Sequence, residues 1–454
     1  MPGRVSQLAD RALKILSDAR PPGSGRTEVA VIGLGYVGMT LAVAFADAGV
    51  RVLGHDTSAA VSLALAEGVP PVKEPGIEER LARALGETLQ IETQLPDALP
   101  PAVVICVGTP INRLSAPDLS QLEAATEAIA ARAEPETLVV LRSTVPVGTS
   151  RGLVLETLRR RHRNPRVAFC PERTIQGRAF EELHRLPQIV GASTTDAAEA
   201  AAELFSRLTP RVIRVSSLEA AEAIKLICNA HTDLIYGFGN EVALMAEALG
   251  LDAEELIASA NLDYPRPDLS RPGFVGGGCL TKDPYLLAHS AEQRDYTPSM
   301  VLAARHLNET MPIHAARRVL AALAARGVPA AESRILISGI AFKGNPETDD
   351  VRGAASRTIV EMLREEVAAL AGHDFAVPLE QIAAMGLEPV SIEEGFEGAD
   401  AAMVLTDHPG YRLLDLRSLS GRMSRPAVVF DAFGVLDQPA GPAPGTTYLR
   451  MGRA

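Results

Sequence analysis

Cys279 stands at the end of a glycine-rich run, PGFVGGGC, and Lys282 and Asp283 follow just beyond it. Gly273, Gly276, Gly277 and Gly278 carry no side chains and let backbone and ligand approach closely. A thiol at the edge of such a loop, beside a cation, has room for a substrate and help toward thiolate, which is what a covalent nucleophile needs. A buried structural thiol is the alternative. Lys225 and Asn229 form a second pair, spaced i, i+4 on an otherwise apolar stretch. On a helix they share one face and can hold an oxyanion. The alternative is a snorkelling lysine and an asparagine bonded to a neighbouring carbonyl.

These groups need elements to position them and a partner for the chemistry. EVAVIGLGYVGMTLAVAFADAG (28–49) reads as a strand, a glycine turn and an Ala-rich helix, with Gly33, Gly35 and Gly38 in GxGxxG spacing. Such glycines bring backbone N–H groups to a pyrophosphate at a helix N-terminus, where the macrodipole favours anions. RVLGHD gives a second strand ending in Asp56, an acceptor for ribose hydroxyls that repels a 2′-phosphate, so NAD is expected over NADP. Further strands follow at doubly wound spacing over 102–108, 137–143, 166–172 and 212–216. Three end in polar residues, at Thr109, Ser143-Thr144 and Pro171-Glu172. The carboxyl edge of an open α/β sheet is where ligands bind, although each threonine also fits a turn.

From Ser216 the alternation stops. The spacing predicts a long helix with a capping box at Ser216 and Glu219 and a stop at Gly250. Gly237 and Gly239 inside it suggest close helix packing or a kink, and a helix between two α/β regions suits dimerisation. Residues 298–326 also read as helical. A second α/β block has strands over 334–344, 367–374, 401–408 and 426–434, and its AGHD at 371–374 echoes LGHD at 53–56. Its first loop holds Lys343, Asp349, Asp350 and Arg352, which read either as a grip on a phosphorylated ligand or as a solvated charged loop. The fold class is therefore α/β, with two Rossmann-like doubly wound domains joined by a long central helix and its helical domain. The boundaries read as an N-terminal helix and linker over 1–25, an NAD-binding domain over 26–215, a central helical domain over 216–328 and a second Rossmann-like domain over 329–454.

Composition narrows the partners. The chain has 454 residues and 44 basic against 56 acidic side chains, a net charge of −12 without a basic tract, which argues against nucleic acid. Four cysteines (Cys106, Cys170, Cys228, Cys279) form no CxxC pair, and nine histidines form no HExxH, so no metal site is expected. No apolar run of membrane-spanning length occurs, and residues 1–20 carry charges throughout, so the expected compartment is the cytoplasm.

The order of GLGYVG (33–38), CVGTP (106–110), STVPVGTS (143–150), PERTIQG (171–177), AEAIKLICNA (221–230), GGGCLTKD (276–283) and AFKGNPETDDVRG (341–353) closely resembles the UDP-glucose/GDP-mannose dehydrogenase family over about residues 28–435. The resemblance implies oxidation of the C6 hydroxyl of a nucleotide sugar to a carboxylate by two NAD+ without a metal, in a homodimer or higher homo-oligomer. It makes Cys279 the nucleophile that holds the intermediate aldehyde as a thiohemiacetal and then a thioester. It assigns Lys225 and Asn229 to the oxyanion, Asp283 to activation of water or of Lys225, Glu172 to the neighbourhood of C6, and Thr144 to a water or the cofactor. Gly33, Gly35, Tyr36, Val37, Gly38, Asp56, Thr109, Thr144, Lys282 and Arg352 become cofactor contacts. Glu172, Arg173, Lys225, Arg266, Phe274, Gly276 and Lys343 become substrate contacts, Arg266 reaching the sugar from a neighbouring subunit.

One position departs from the family pattern. Many UDP-glucose dehydrogenases have a second glutamate four residues after the first, where this chain has Gln176. Either a lysine-assisted water or Glu172 must then act as base. The run PERTIQGRAFEELHRLPQIVG is more like the N-acetylmannosamine branch, so UDP-glucose and UDP-N-acetylmannosamine types both stand as substrates. The alternatives are a dTDP-glucose 6-dehydrogenase, an NAD-dependent nucleotide-sugar epimerase, which needs no cysteine, and a redox-sensing NAD-binding regulator.

Overall fold

The computed structural model of the chain describes residues 26–265 and 268–453, so the expected N-terminal helix and Arg266 lie outside the described residues. Two compact units emerge. One ends at Cys228 and takes in Tyr285–Tyr296; the other comprises Asn229–Pro284 and the chain from Thr297 onward.

The first unit is built on eight strands: β1 (Val29–Ile32), β2 (Val52–His55), β3 (Leu89–Glu92), β4 (Ala102–Ile105), β5 (Leu138–Leu141), β6 (Arg166–Phe169), β7 (Gln188–Ala192) and β8 (Val212–Arg214). They pair in the order β3-β2-β1-β4-β5-β6-β7-β8. All pairs are parallel except β6–β7. Strand residues alternate between faces, and both faces are covered. Val29 and Val31 enter one core with Val104, while Ala30 and Ile32 enter another with Val103 and Ile105. That two-sided burial is why the strands read as continuous apolar runs.

The second unit holds six parallel strands: β9 (Arg334–Ser338), β10 (Ala369–His373), β11 (Glu388–Pro389), β12 (Ala401–Val404), β13 (Ala427–Asp431) and β14 (Thr446–Arg450). Their order is β11-β10-β9-β12-β13-β14. The expected alternation of a parallel α/β fold is thus present twice. The sequence reading missed β3, β11 and β14, which are short, half-buried or interrupted by proline, and also β7, a buried strand that follows Pro187. Several expected strands also end early: β4 stops at Ile105, leaving Cys106–Thr109 as loop on the ligand edge.

The echo between LGHD and AGHD is structural. Asp56 follows β2 and accepts from the amides of Leu34, at 2.7 Å, and Ser58, at 2.8 Å. Asp374 follows β10 and accepts from Ile340 and Ala341 with one oxygen and from Ala376 and Val377 with the other. In each fold an aspartate after the second strand fastens the loop after the first.

The helix Leu218–Leu249 runs for 32 residues and passes from one unit into the other. Its cap is displaced from the expected capping box. Ser217 accepts from Ala220 N, and Glu219 pairs instead with Arg151. Gly250 ends the helix at φ +71. Within the second unit this helix packs on the helix Ser299–Ala324. A Cβ on Gly237 would lie 3.1 Å from that of Ala304, and one on Gly239 would lie 2.3 Å from Ser270 O, so close packing requires both glycines.

Candidate active site

The dinucleotide loop of the first unit follows β1. Gly33 has φ +90, and a Cβ there would stand 3.0 Å from the Cys106 backbone. A Cβ on Gly38 would be 1.7 Å from Gly33 O, so helix and turn touch without an intervening side chain. Gly35 differs, with nothing within 4 Å of its Cβ position, and the helix Tyr36–Asp47 that it opens has no side-chain cap. Open space beside uncapped amides suits a pyrophosphate. Val37 is half-buried in the first turn of that helix. Asp56 keeps lone pairs for ribose hydroxyls beyond the two amides it already holds.

At the ends of β4 and β5, the Thr109 hydroxyl donates to Thr144 O at 2.6 Å, and Ser143 Oγ donates to Val107 O. Thr109 and Thr144, both expected at polar strand ends on one sheet edge, are thus fastened to each other. The loop after Thr144 is tied to the long helix by Glu222, which accepts from Gly148 N and Ser150 N.

Glu172 sits in a clamp that sequence reasoning missed. Arg142, fully buried at the end of β5, donates to Glu172 Oε2 through Nη2 and Nε, and through Nη1 to Cys170 O and Gln188 Oε1. The other Glu172 oxygen accepts from Arg173 N at 2.7 Å and Thr174 N at 2.8 Å. Burial alone would raise the carboxyl pKa, but Arg142 and the amides of Thr174 and Arg173 outweigh it and hold the group below its ordinary value. Four donors leave Glu172 no open lone pair, which argues against it as the general base. Arg173 Nη1 is turned to Pro187 O. Burial pushes the thiol of neighbouring Cys170 up to about 12, leaving it inert.

Lys225 belongs to the first unit, is 8% exposed, and has no carboxylate partner among the described residues. Asn229, one turn further along the helix, belongs to the second unit. Its amide donates to Asp283 Oδ2 at 2.5 Å, while Lys282 Nζ donates to Asp283 Oδ1 at 2.7 Å. One amide hydrogen of Asn229 remains for another acceptor. Asp283 is wholly buried and opens the helix Asp283–Glu292, and its own amide and that of Lys282 donate to Cys279 O. The structure therefore gathers Asn229, Asp283, Lys282 and the Cys279 backbone into one cluster.

Cys279 is exposed. Arg352 lies beside the neighbouring Gly278. A Cβ on Gly278 would be 3.5 Å from its Cζ, and Asp350 holds the guanidinium in a bidentate pair. The glycines serve packing more than ligand space. A Cβ on Gly276 would meet Gly353 O at 2.5 Å, on Gly277 the Phe342 ring at 2.8 Å, and on Gly273 the Phe433 ring at 2.3 Å. Lys343 Nζ lies 5.5 Å over the same Phe342 ring, and Phe274 packs against the core of the second sheet.

The loop is held from behind by a second missed arginine. Arg305, 1% exposed, donates to Leu280 O at 2.9 Å, to Val275 O at 3.5 Å and to Asp233 Oδ1 at 2.7 Å. Asn308 donates to Asp233 as well, Asn240 donates to Asn308, and Gly273 N donates to Asn240 Oδ1. A buried polar network thus fixes both flanks of the thiol loop. Among the described residues no group of three or more His, Cys, Asp or Glu can hold a metal ion, and no helix is long and apolar enough to cross a membrane.

Comparison with known proteins gives the family. Sequence models of the UDP-glucose/GDP-mannose dehydrogenase family match in all three parts: the NAD binding domain over residues 27–209, the central domain over 219–310 and the UDP binding domain over 336–438. A UDP-N-acetyl-D-mannosamine dehydrogenase of Pyrococcus horikoshii is 34% identical over 418 residues, covering 90% of this chain and 96% of that protein. A solved structure of the UDP-N-acetylmannosamine dehydrogenase from that organism superposes with a TM-score of 0.86 at 32% identity, over 94% of this chain and 99% of the other. A UDP-glucose dehydrogenase structure from Pyrobaculum islandicum gives a TM-score of 0.82 at 28% identity, over 95% and 99% of the two chains.

Proposed function

The chain belongs to the UDP-glucose/GDP-mannose dehydrogenase family, an NAD-dependent oxidoreductase of the nucleotide-sugar dehydrogenase type, and we propose that it oxidises C6 of a UDP-N-acetylhexosamine, of the N-acetylmannosamine type, to the carboxylate through a thioester on Cys279. The sugar assignment is supported by the Pyrococcus relative and by Gln176, an amide where UDP-glucose enzymes often carry a carboxylate. UDP-glucose is the second reading, supported by the Pyrobaculum likeness.

The observation that carries the mechanism is the exposed Cys279, next to the Gly278 that stands against Arg352, in a loop whose flanks Arg305 pins. When bound, NAD+ would supply the hydride acceptor for each of two successive oxidations. Gly35 and the amides at the start of the helix Tyr36–Asp47 would hold its pyrophosphate, and Asp56 its ribose. In the first oxidation C6 loses a hydride and its hydroxyl loses a proton, giving the aldehyde. The Cys279 thiolate adds to the aldehyde carbon, forming a C–S bond and an oxyanion that Lys225 and the remaining amide hydrogen of Asn229 stabilise. Loss of the second hydride leaves the thioester. Water adds to it, the C–S bond breaks, the carboxylate leaves and Cys279 recovers its thiol. Asp283 orients Asn229 and Lys282 through this sequence. With Glu172 saturated, a water beside Lys225 takes the first proton. Thr144, Arg173, Phe274, Gly276, Lys343 and Arg266 remain assigned to cofactor and substrate as the family pattern implies. Exposed Phe238, Met245 and Leu249 on the long helix support a homodimer or a multiple of it, and we place the enzyme in the cytoplasm.

The test is an NADH-release screen over UDP-N-acetylmannosamine, UDP-N-acetylglucosamine, UDP-glucose, GDP-mannose and dTDP-glucose. Two NADH per sugar acid are expected. One NADH with accumulating aldehyde refutes the thioester, and turnover without net NADH indicates an epimerase.

A further inference from the structure

Glu74 lies in the turn KEPG, between the helices Ala59–Ala66 and Ile77–Ala84, far in sequence from any motif of the site. It is nonetheless buried, at 6% exposure. Its carboxylate accepts three hydrogen bonds, from the Tyr36 hydroxyl at 2.5 Å, from Gly177 N at 2.7 Å and from Ala179 N at 2.7 Å. Tyr36 is the first residue of the dinucleotide helix, and Gly177 closes PERTIQG.

That loop has little freedom of its own. Glu172 takes the amides of Arg173 and Thr174, Glu182 takes that of Ile175, and Glu74 takes those of Gly177 and Ala179. Of these three carboxylates, Glu74 is the one that also holds a side chain of the cofactor loop. A buried carboxylate shared by two loops cannot let one shift without unmaking bonds to the other, and an unpaired buried acceptor is costly.

We propose that Glu74 is a positioning residue that couples the two loops, so that the cofactor loop sets the conformation of the PERTIQG loop through Tyr36. Nucleotide-sugar affinity then depends on the Tyr36 hydroxyl through its hydrogen bond to Glu74, and by linkage cofactor and sugar affinities are coupled reciprocally. The inference rests on the nucleotide-sugar reading of that loop.

The experiment compares the full-length wild type with Tyr36→Phe, Glu74→Gln and the double variant. KM for the active nucleotide sugar and Kd for NADH, read by its fluorescence, are measured in each. Tyr36→Phe removes one hydroxyl and keeps the ring. It is expected to raise the sugar KM about tenfold, while NADH Kd changes less than the sugar KM. The double variant should match Glu74→Gln rather than multiply the two losses, since both act through one hydrogen bond. A sugar KM unmoved by Tyr36→Phe, or a loss confined to NADH binding, overturns the coupling, as does independent multiplication. Should Glu74→Gln fail to fold, Tyr36→Phe decides alone. Wild type without NADH release on any nucleotide sugar refutes the functional reading and the coupling with it; release with an unmoved KM in Tyr36→Phe refutes the coupling only.

Discussion

Arg142 donates two hydrogen bonds to a single oxygen of Glu172, through Nη2 at 2.7 Å and Nε at 3.2 Å, with both side chains withdrawn from water. Removing one partner of such a pair leaves an uncompensated buried charge, a loss of about 3–5 kcal/mol. Arg142→Met should therefore lower the urea midpoint strongly. The sign with pH follows from the depressed carboxyl. Its stabilisation is complete above the ordinary glutamate value, about 4.3, and is lost as pH falls through the lower folded value. In Arg142→Met burial raises the carboxyl instead, and its penalty is relieved as pH falls. The gap between wild type and variant should narrow from pH 7 to pH 4.5; a gap that does not change with pH would contradict the clamp.

Cys279→Ser should lose turnover by at least about 10³-fold, since an alkoxide is not accessible where a thiolate is. NADH binding should persist, because the dinucleotide loop is built from other residues. Steady-state rates like those of wild type would take the cysteine out of the mechanism.

Asp56→Asn tests a residue with two tasks. An asparagine presents N–H where the carboxylate accepts from Leu34 N or Ser58 N, so the dinucleotide loop loosens as the charge is lost. NAD KM should rise about tenfold, the effect of losing one charged hydrogen bond, and the preference over NADP should narrow. Asp374→Asn, with the matching place in the second fold, should lower thermal stability without moving that preference. Equal shifts in both variants would show that Asp56 acts only on the fold.

Arg305→Met should release both flanks of the thiol loop and strand Asp233 in the interior. The expected cost is about 3–5 kcal/mol, with kcat falling more than sugar KM because Cys279 is no longer held in line. A variant that melts earlier yet keeps wild-type kcat would make Arg305 a matter of stability alone.

Much of the architecture is legible in the chain. Apolar runs such as Val29–Ile32 and Ala427–Asp431 mark strands buried on both faces, and GxGxxG between a strand and a helix marks the dinucleotide turn. Cys279, Asn229, Asp283 and Arg352 could be chosen because their types and neighbours suit chemistry. The short β3 and the two-residue β11 were missed because pairing, more than propensity, makes them strands.

By itself the sequence determined the fold class, the NAD-binding turn and which groups stand as candidates for chemistry, because those depend on local spacing and on side-chain type. Tertiary structure alone decided who holds those groups. Arg142 reaches Glu172 across 30 positions, Arg305 reaches Asp233 across 72, and Glu74 reaches Gly177 across 103. None belongs to a motif. A buried charge must find its partner wherever the fold places one, and that choice is made by the packing of strands and helices rather than by neighbours along the chain.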